Sequence, residues 1–160
     1  MRKPTHPKPN RLPDQTDICS SRGRTMTAEK DIEAVLGSVT NLPLRYWKEK
    51  MFFRGLPDKS AFQLTAGQFP VRPTPGSHPV FSLKALPEKA GFRVCPCSSK
   101  RPFSRETCRF IGKGCLLLHT GFAIDRDSFL IEKFQFNIPR SQAHRLRFLG
   151  EVPEECLRHG

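Results

Sequence analysis

The spacing of apolar positions divides the chain into a short helical stretch and a longer, strand-rich one. Thr27 stands as a cap before residues 28–36, where Ala28, Ile32, Val35 and Leu36 fall on one helical face and Gly37 supplies a stop. Pro43 suits a first helical position. Leu44, Trp47 and Met51 then repeat at helical spacing until Gly55 and Pro57, which predicts a second helix. Pro70, Pro73, Pro75 and Gly76 form a breaker-rich loop.

Beyond that loop the period falls to two. In residues 80–86, Phe81, Leu83 and Ala85 point one way and Val80, Ser82 and Lys84 the other. Residues 87–91 read as a turn. Phe92, Val94 and Pro96 then alternate with Arg93, Cys95 and Cys97 in a second strand. Residues 115–119 predict a short apolar strand and residues 129–138 a longer one. The apolar period in the latter slips near Glu132 and Lys133, as a β-bulge would make it. Pro139 opens a short helix containing Ala143 and Leu146 that Gly150 ends, and Pro153 starts a last helical turn with Glu154 and Glu155. Short strands between turn signals, too closely spaced for helical crossovers, predict a mainly β fold: a small, strongly bent barrel with short helices. The expected organisation is a basic proline-rich tract over 1–25, a helical N-terminal extension over 26–64 and a barrel domain over 65–160.

Composition sharpens this division. The chain has 160 residues, 37% of them hydrophobic, and a net charge of +12. Residues 1–25 contribute six Lys/Arg against two acids, and Pro4, Pro7, Pro9 and Pro13 predict disorder there. Met26 follows and is an alternative first residue, which intact mass would check. Residues 65–160 carry fifteen Lys/Arg against eight acids, so the part expected to fold is itself basic and suited to phosphate backbones. All thirteen phenylalanines lie after residue 51. The absence of a long apolar run argues against a membrane span, and the polar start argues against export. A cytoplasmic protein with reduced cysteines is therefore expected.

Several residue groups have the composition of a chemical site. Cys95, Cys97, Cys108 and Cys115, with His119 close behind, have the ligand types for zinc but not its usual spacing. Residues two apart on a strand share a face, so Cys95 and Cys97 more readily fill a core, and no metal is assigned. The strand end Ser98-Ser99-Lys100-Arg101 sets hydroxyls beside cations, a chemistry suited to phosphate. His78, in Gly76-Ser77-His78-Pro79, starts the preceding strand and has the chemistry of a proton donor or acceptor. His119, Asp125 and Arg126 form a second charged group, read as loop residues with a local salt bridge among them. Phosphate-loop, nucleophile-elbow and zinc-protease motifs are missing from the sequence.

Three ordered blocks resemble a known family. Gly67-Gln68-Phe69-Pro70-Val71, then Gly76-Ser77-His78-Pro79-Val80-Phe81-Ser82-Leu83, then Gly91-Phe92-Arg93-Val94-Cys95-Pro96-Cys97-Ser98-Ser99 follow the order of conserved blocks in the MazF/PemK toxin ribonucleases. The tail Gly150-Glu151-Val152-Pro153-Glu154-Glu155-Cys156-Leu157 is similar as well. The resemblance covers about residues 65–160, and it takes residues 67–71 as the opening strand. It implies an SH3-like barrel, a homodimer, an acidic antitoxin partner and cofactor-free cleavage of single-stranded RNA by the adjacent 2′-hydroxyl. Carried over by position, the family's threonine falls on Ser98 and its arginine on His78. These become the catalytic candidates, with Arg72, Ser99, Lys100 and Arg101 as substrate-binding candidates. A histidine does not grip phosphate bidentately as an arginine does, so Arg72, Lys100 or Arg101 would supply that charge. The alternative is a non-catalytic nucleic-acid or protein interaction module on the same barrel.

Overall fold

A computed structural model describes residues 42–86, 91–102 and 107–160. The proline-rich tract, the helix expected over 28–36 and most of the turn after residue 86 lie outside the described residues. The fold is mainly β, as the alternation implied. Its centre is one antiparallel sheet bent into a small barrel-like body, with short helices at its margins.

The first correction concerns the second expected helix. Leu44–Tyr46 forms only a single 3₁₀ turn, Trp47 is extended and Lys50 adopts a φ of 64°, which a helix cannot accommodate. Met51–Pro57 is instead strand β1. Met51, Phe52 and Phe53 are all buried, so the run is apolar on both faces and shows no alternation to read. Helix α1 (Asp58–Leu64) starts where the expected helix should have ended.

β1 lies inside the sheet. It pairs with β2 (Ser77–Ala85), where Phe52 faces Phe81, and with β7 (Arg147–Glu151), where Phe52 faces Gly150. A boundary at residue 64 would therefore cut through the sheet, and residues 51–57 belong to the barrel rather than to an extension. Residues 67–71, taken as the opening strand of the resemblance, form no strand. β1 takes that place beside β2.

β2 and β3 (Phe92–Ser98) form the antiparallel hairpin expected from their alternation. The expected face of β2 breaks at one point. Val80 and Ser82 are buried while Lys84 is exposed, because the register shifts between Ser82 and Lys84. β3 then divides its far edge. Its first half pairs with β6 (Phe136–Asn137) and its last two residues with β5 (Ser128–Leu130). The single long strand expected over 129–138 is thus two strands. A 3₁₀ turn at Glu132–Phe134 produces the slip in period, not a bulge.

Two short strands were not foreseen: β4 (Arg109–Ile111), which pairs with β5, and β8 (Leu157–His159), which pairs with β4 at the edge of the sheet. The strand expected over 115–119 reduces to bridges at Leu116–Ala123 and Leu118–Glu151. Helix α2 (Arg140–Ala143) and the 3₁₀ turn Glu154–Cys156 sit where prolines 139 and 153 predicted them. Gly150, expected to end a helix, is inside β7. A Cβ there would lie 2.6 Å from Leu117 Cβ and 2.8 Å from the Leu118 carbonyl oxygen. The glycine lets residues 117–118 approach the sheet.

Both faces of the sheet are covered. Phe53, Val80 and Val94 join Trp47, Leu56, Phe69, Phe136 and Phe148 in one core. Phe52, Phe81, Cys95 and Cys97 join Ile111, Leu117, Leu130 and Leu149 in the other. Cys95 and Cys97 fill a core from one strand face, as their spacing implied. The expectation of reduced cysteines fails at another pair: Cys115 and Cys156 form a disulfide with Cα atoms 5.9 Å apart. They are 41 residues apart in sequence, and it is the pairing of Ile111 with Leu157 that brings them together. The four-cysteine zinc set is therefore incomplete, since Cys115 is bonded to carbon-borne sulfur already. No described helix is long and apolar enough to cross a membrane.

Candidate functional site

The register of β2 and β3 builds the site. Val80 faces Pro96. Carried two residues outward, that register brings His78 level with Ser98. The ring confirms the approach, because His78 Nδ1 lies 3.0 Å from the Cys97 carbonyl oxygen. Here both strands reach the mouth of the barrel and pass into loops, so side chains leave the packed core and line a cavity of about 420 Å³.

Five of the six predicted site residues line that cavity: His78, Ser98, Arg72, Ser99 and Lys100. Arg101 is exposed and stands outside the lining. Ser98 Oγ accepts the backbone N–H of Lys100 at 3.1 Å, which folds the strand end back on itself and leaves the hydroxyl proton to donate. The other wall comes from residues 122–128, including Asp125 and Arg126, which make the expected local ion pair at 3.3 Å. The second charged group thus splits. Asp125 and Arg126 belong to the cavity, while His119 pairs with Glu151 at 2.8 Å, beside Lys48.

Arg54, Arg72, Lys100 and Arg126 line the cavity against one lining carboxylate, Asp125. Phe52, Phe122 and Ile124 supply apolar surface, and the Arg54 guanidinium sits 5.7 Å from the centre of the Phe122 ring. Such a wall suits a ligand with both anionic and flat apolar parts.

Sequence reading missed the residue at the base of this arrangement. Asp58, at the start of α1, has a side chain only 3% exposed. Its Oδ2 accepts from Arg72 Nε at 2.8 Å, and its Oδ1 accepts from Arg72 Nη2 at 3.1 Å. The same Oδ1 is 3.3 Å from His78 Nε2. Arg72 holds the Asp58 carboxyl below its ordinary range and outweighs the burial that opposes ionisation, with His78 adding to the effect. Both ring nitrogens of His78 thus face oxygen acceptors, and the ring packs edge-on against Phe69 at 4.7 Å. No signal in the sequence pointed to Asp58, because its partners lie 14 and 20 residues away across a proline-rich loop.

Among the described residues, no group of three or more His, Cys, Asp or Glu side chains is arranged to hold a metal ion. Comparison with family profiles, curated proteins and solved structures finds no match to this chain.

Proposed function

We propose that this chain is a MazF/PemK-like protein that binds single-stranded RNA in the cavity at the mouth of its barrel. The observation that carries the reading is the convergence of Arg54, Arg72, Lys100 and Arg126 with the hydroxyls of Ser98 and Ser99 around one opening. Guanidinium, ammonium and hydroxyl donors are the groups that hold phosphodiesters. The half-exposed Phe122 offers a face on which an unpaired base can stack, which a paired one cannot use. An acidic antitoxin and a second copy of the chain are the protein partners that go with this reading. A cytoplasmic site of action goes with it too, although a disulfide is unusual in a reducing compartment.

Cleavage is the sharper form of the proposal. The 2′-hydroxyl oxygen attacks phosphorus as its proton passes to the His78 imidazole. The bond to the 5′-oxygen breaks, leaving a 2′,3′-cyclic phosphate, and that oxygen takes its proton from solvent water. Ser98 donates a hydrogen bond to a phosphate oxygen. The non-catalytic reading is favoured by the engagement of both His78 nitrogens, which leaves the ring no free position in this arrangement.

One set of assays separates these readings. Fluorescence anisotropy with a labelled single-stranded RNA should show binding that weakens steeply as salt rises. Incubation with RNA in EDTA then tests cleavage in wild type, His78→Ala and Ser98→Ala. Cleavage lost in both variants supports the catalytic roles, and equal cleavage in all three removes them. Binding without cleavage in wild type selects the non-catalytic module. Failure of wild type to bind RNA overturns the proposal as a whole.

A further inference from the structure

A buried carboxylate that holds two cavity-lining side chains, Arg72 and His78, from beneath needs an explanation. Placing a charge where only 3% of the side chain meets water costs several kcal/mol unless paired groups compensate. A purely structural ion pair would be expected to bury both partners. Here the partnership is lopsided: the Asp58 side chain is 3% exposed, while that of Arg72 is 49% exposed. Arg72 thus has one edge fixed and the rest of its guanidinium at the surface of the cavity.

The geometry on the Arg72 side is specific. Nε and Nη2 are taken by the two oxygens of Asp58, and Nη2 also approaches the Ser77 carbonyl oxygen at 3.5 Å. A two-pronged contact fixes the plane of the guanidinium as well as its position. The backbone N–H of Asp58 in turn donates to the Gly76 carbonyl oxygen at 3.0 Å, which fastens α1 to the loop just before β2. The same carboxylate faces His78 Nε2, while the Cys97 carbonyl holds Nδ1. One buried group therefore orients two of the side chains that face the ligand.

We infer that Asp58 is a positioning residue, fixing the Arg72 guanidinium at the cavity wall so that its free edge receives a phosphate group of the bound RNA. The inference rests on the RNA reading for its ligand, but the phosphate chemistry can be tested without RNA. It runs against the simplest electrostatic expectation. If Asp58 only neutralised Arg72, its removal would release a cation and tighten the hold on an anion. If it positions Arg72, removal leaves a long side chain that must be ordered at each binding event, and affinity falls.

The test measures RNA affinity across a salt series for wild type, Asp58→Asn, Arg72→Gln and the double variant. Positioning predicts that each single variant weakens binding about tenfold or more and lowers the salt slope by about one, as loss of one phosphate contact does. The double variant should be no worse than Arg72→Gln. Equal or tighter binding by Asp58→Asn, with the slope unchanged, overturns the inference. Arg72→Lys covers the case in which Asp58→Asn does not fold: it keeps the charge and loses the two-pronged grip. It should bind as weakly as Arg72→Gln, and wild-type affinity in it is equally fatal. A titration of wild type with inorganic phosphate, followed by the NMR signal of Arg72 Nε–H, separates this inference from the RNA reading. A saturating shift in a protein that ignores RNA leaves Asp58 and Arg72 as a phosphate site and removes RNA as its ligand. No response to either phosphate or RNA removes both.

Discussion

Phe52 and Phe53 are neighbours in β1, yet each belongs to a different hydrophobic core. Phe53 stacks on Trp47 with ring centres 3.8 Å apart and meets Phe148 at 5.6 Å. Phe52 turns the other way, toward Phe81, Cys95 and Leu149. A single strand therefore ties the two cores together. Phe52→Ala and Phe53→Ala should each cost about 3–5 kcal/mol, the range for a deleted core phenylalanine. Urea unfolding of the two variants checks this, and a loss below about 1 kcal/mol in either would mean that its core is not as described.

Gly150 should tolerate no side chain. Its φ is 140°, and an added Cβ would press on Leu117 and on the backbone of Leu118. Backbone cannot swing aside as a flexible side chain can. Gly150→Ala should lower stability by about 2–4 kcal/mol, combining overpacking with backbone strain. Gly114→Ala is the control, since its Cβ would meet nothing within 4 Å although its φ is also positive, at 85°. Thermal unfolding should separate the two clearly, and equal shifts would put the effect down to φ alone.

The five cysteines among the described residues should divide into three chemical classes. Cys95 and Cys97 are buried, and burial, reinforced by Cys95 alongside, pushes the Cys97 thiol well up, so it stays protonated. Cys108 is partly exposed. Native protein treated with an alkylating reagent should be modified at Cys108 and spared at Cys95 and Cys97. Cys115 and Cys156 should react only after reduction. Breaking their bond should lower stability by about 4 kcal/mol, from the chain-entropy relation for a loop of this size. Peptide mapping reads the first outcome and unfolding with and without a reductant the second.

Asp58 should contribute to the acid limb of stability. Its folded-state pKa lies below the ordinary 3.8, so it stabilises the fold above that value and loses the contribution as pH falls through the folded pKa. Asp58→Asn should be less stable than wild type at neutral pH. The gap should close as pH drops below about 4, where the wild-type carboxylate takes up its proton. Parallel stability curves across this range would show that Arg72 and His78 do not hold the charge.

The parts of this fold legible in the sequence were those whose residue types alternate between breakers, although β2 and β3 are buried on both faces at their centres. β2 and β3 alternate and are bounded by breakers, so their existence, direction and exposed strand end could be read, and with them His78 and Ser98. β1 could not, because Met51, Phe52 and Phe53 serve both cores and leave no period. Leu44, Trp47 and Met51 happened to match a helical one. β4 and β8 are three residues each, too short to carry a pattern. Asp58 followed the proline that closed the expected second helix and belonged to no motif. Its burial depends on Arg72 and His78 folding over it, which is a tertiary fact that no local spacing encodes.

The place of β1 in the sheet has a consequence for how the protein is made. Phe52 pairs with Phe81, which is soon available, but its other neighbour is Gly150, 98 positions further along. At about 5–20 residues per second, a ribosome needs roughly 5–20 s to deliver that second partner. Throughout that interval an apolar strand waits with one open edge, which is the condition that favours mispairing between nascent chains. Expression at low temperature or with chaperones in excess should therefore raise the yield of folded protein more than any change at the cavity.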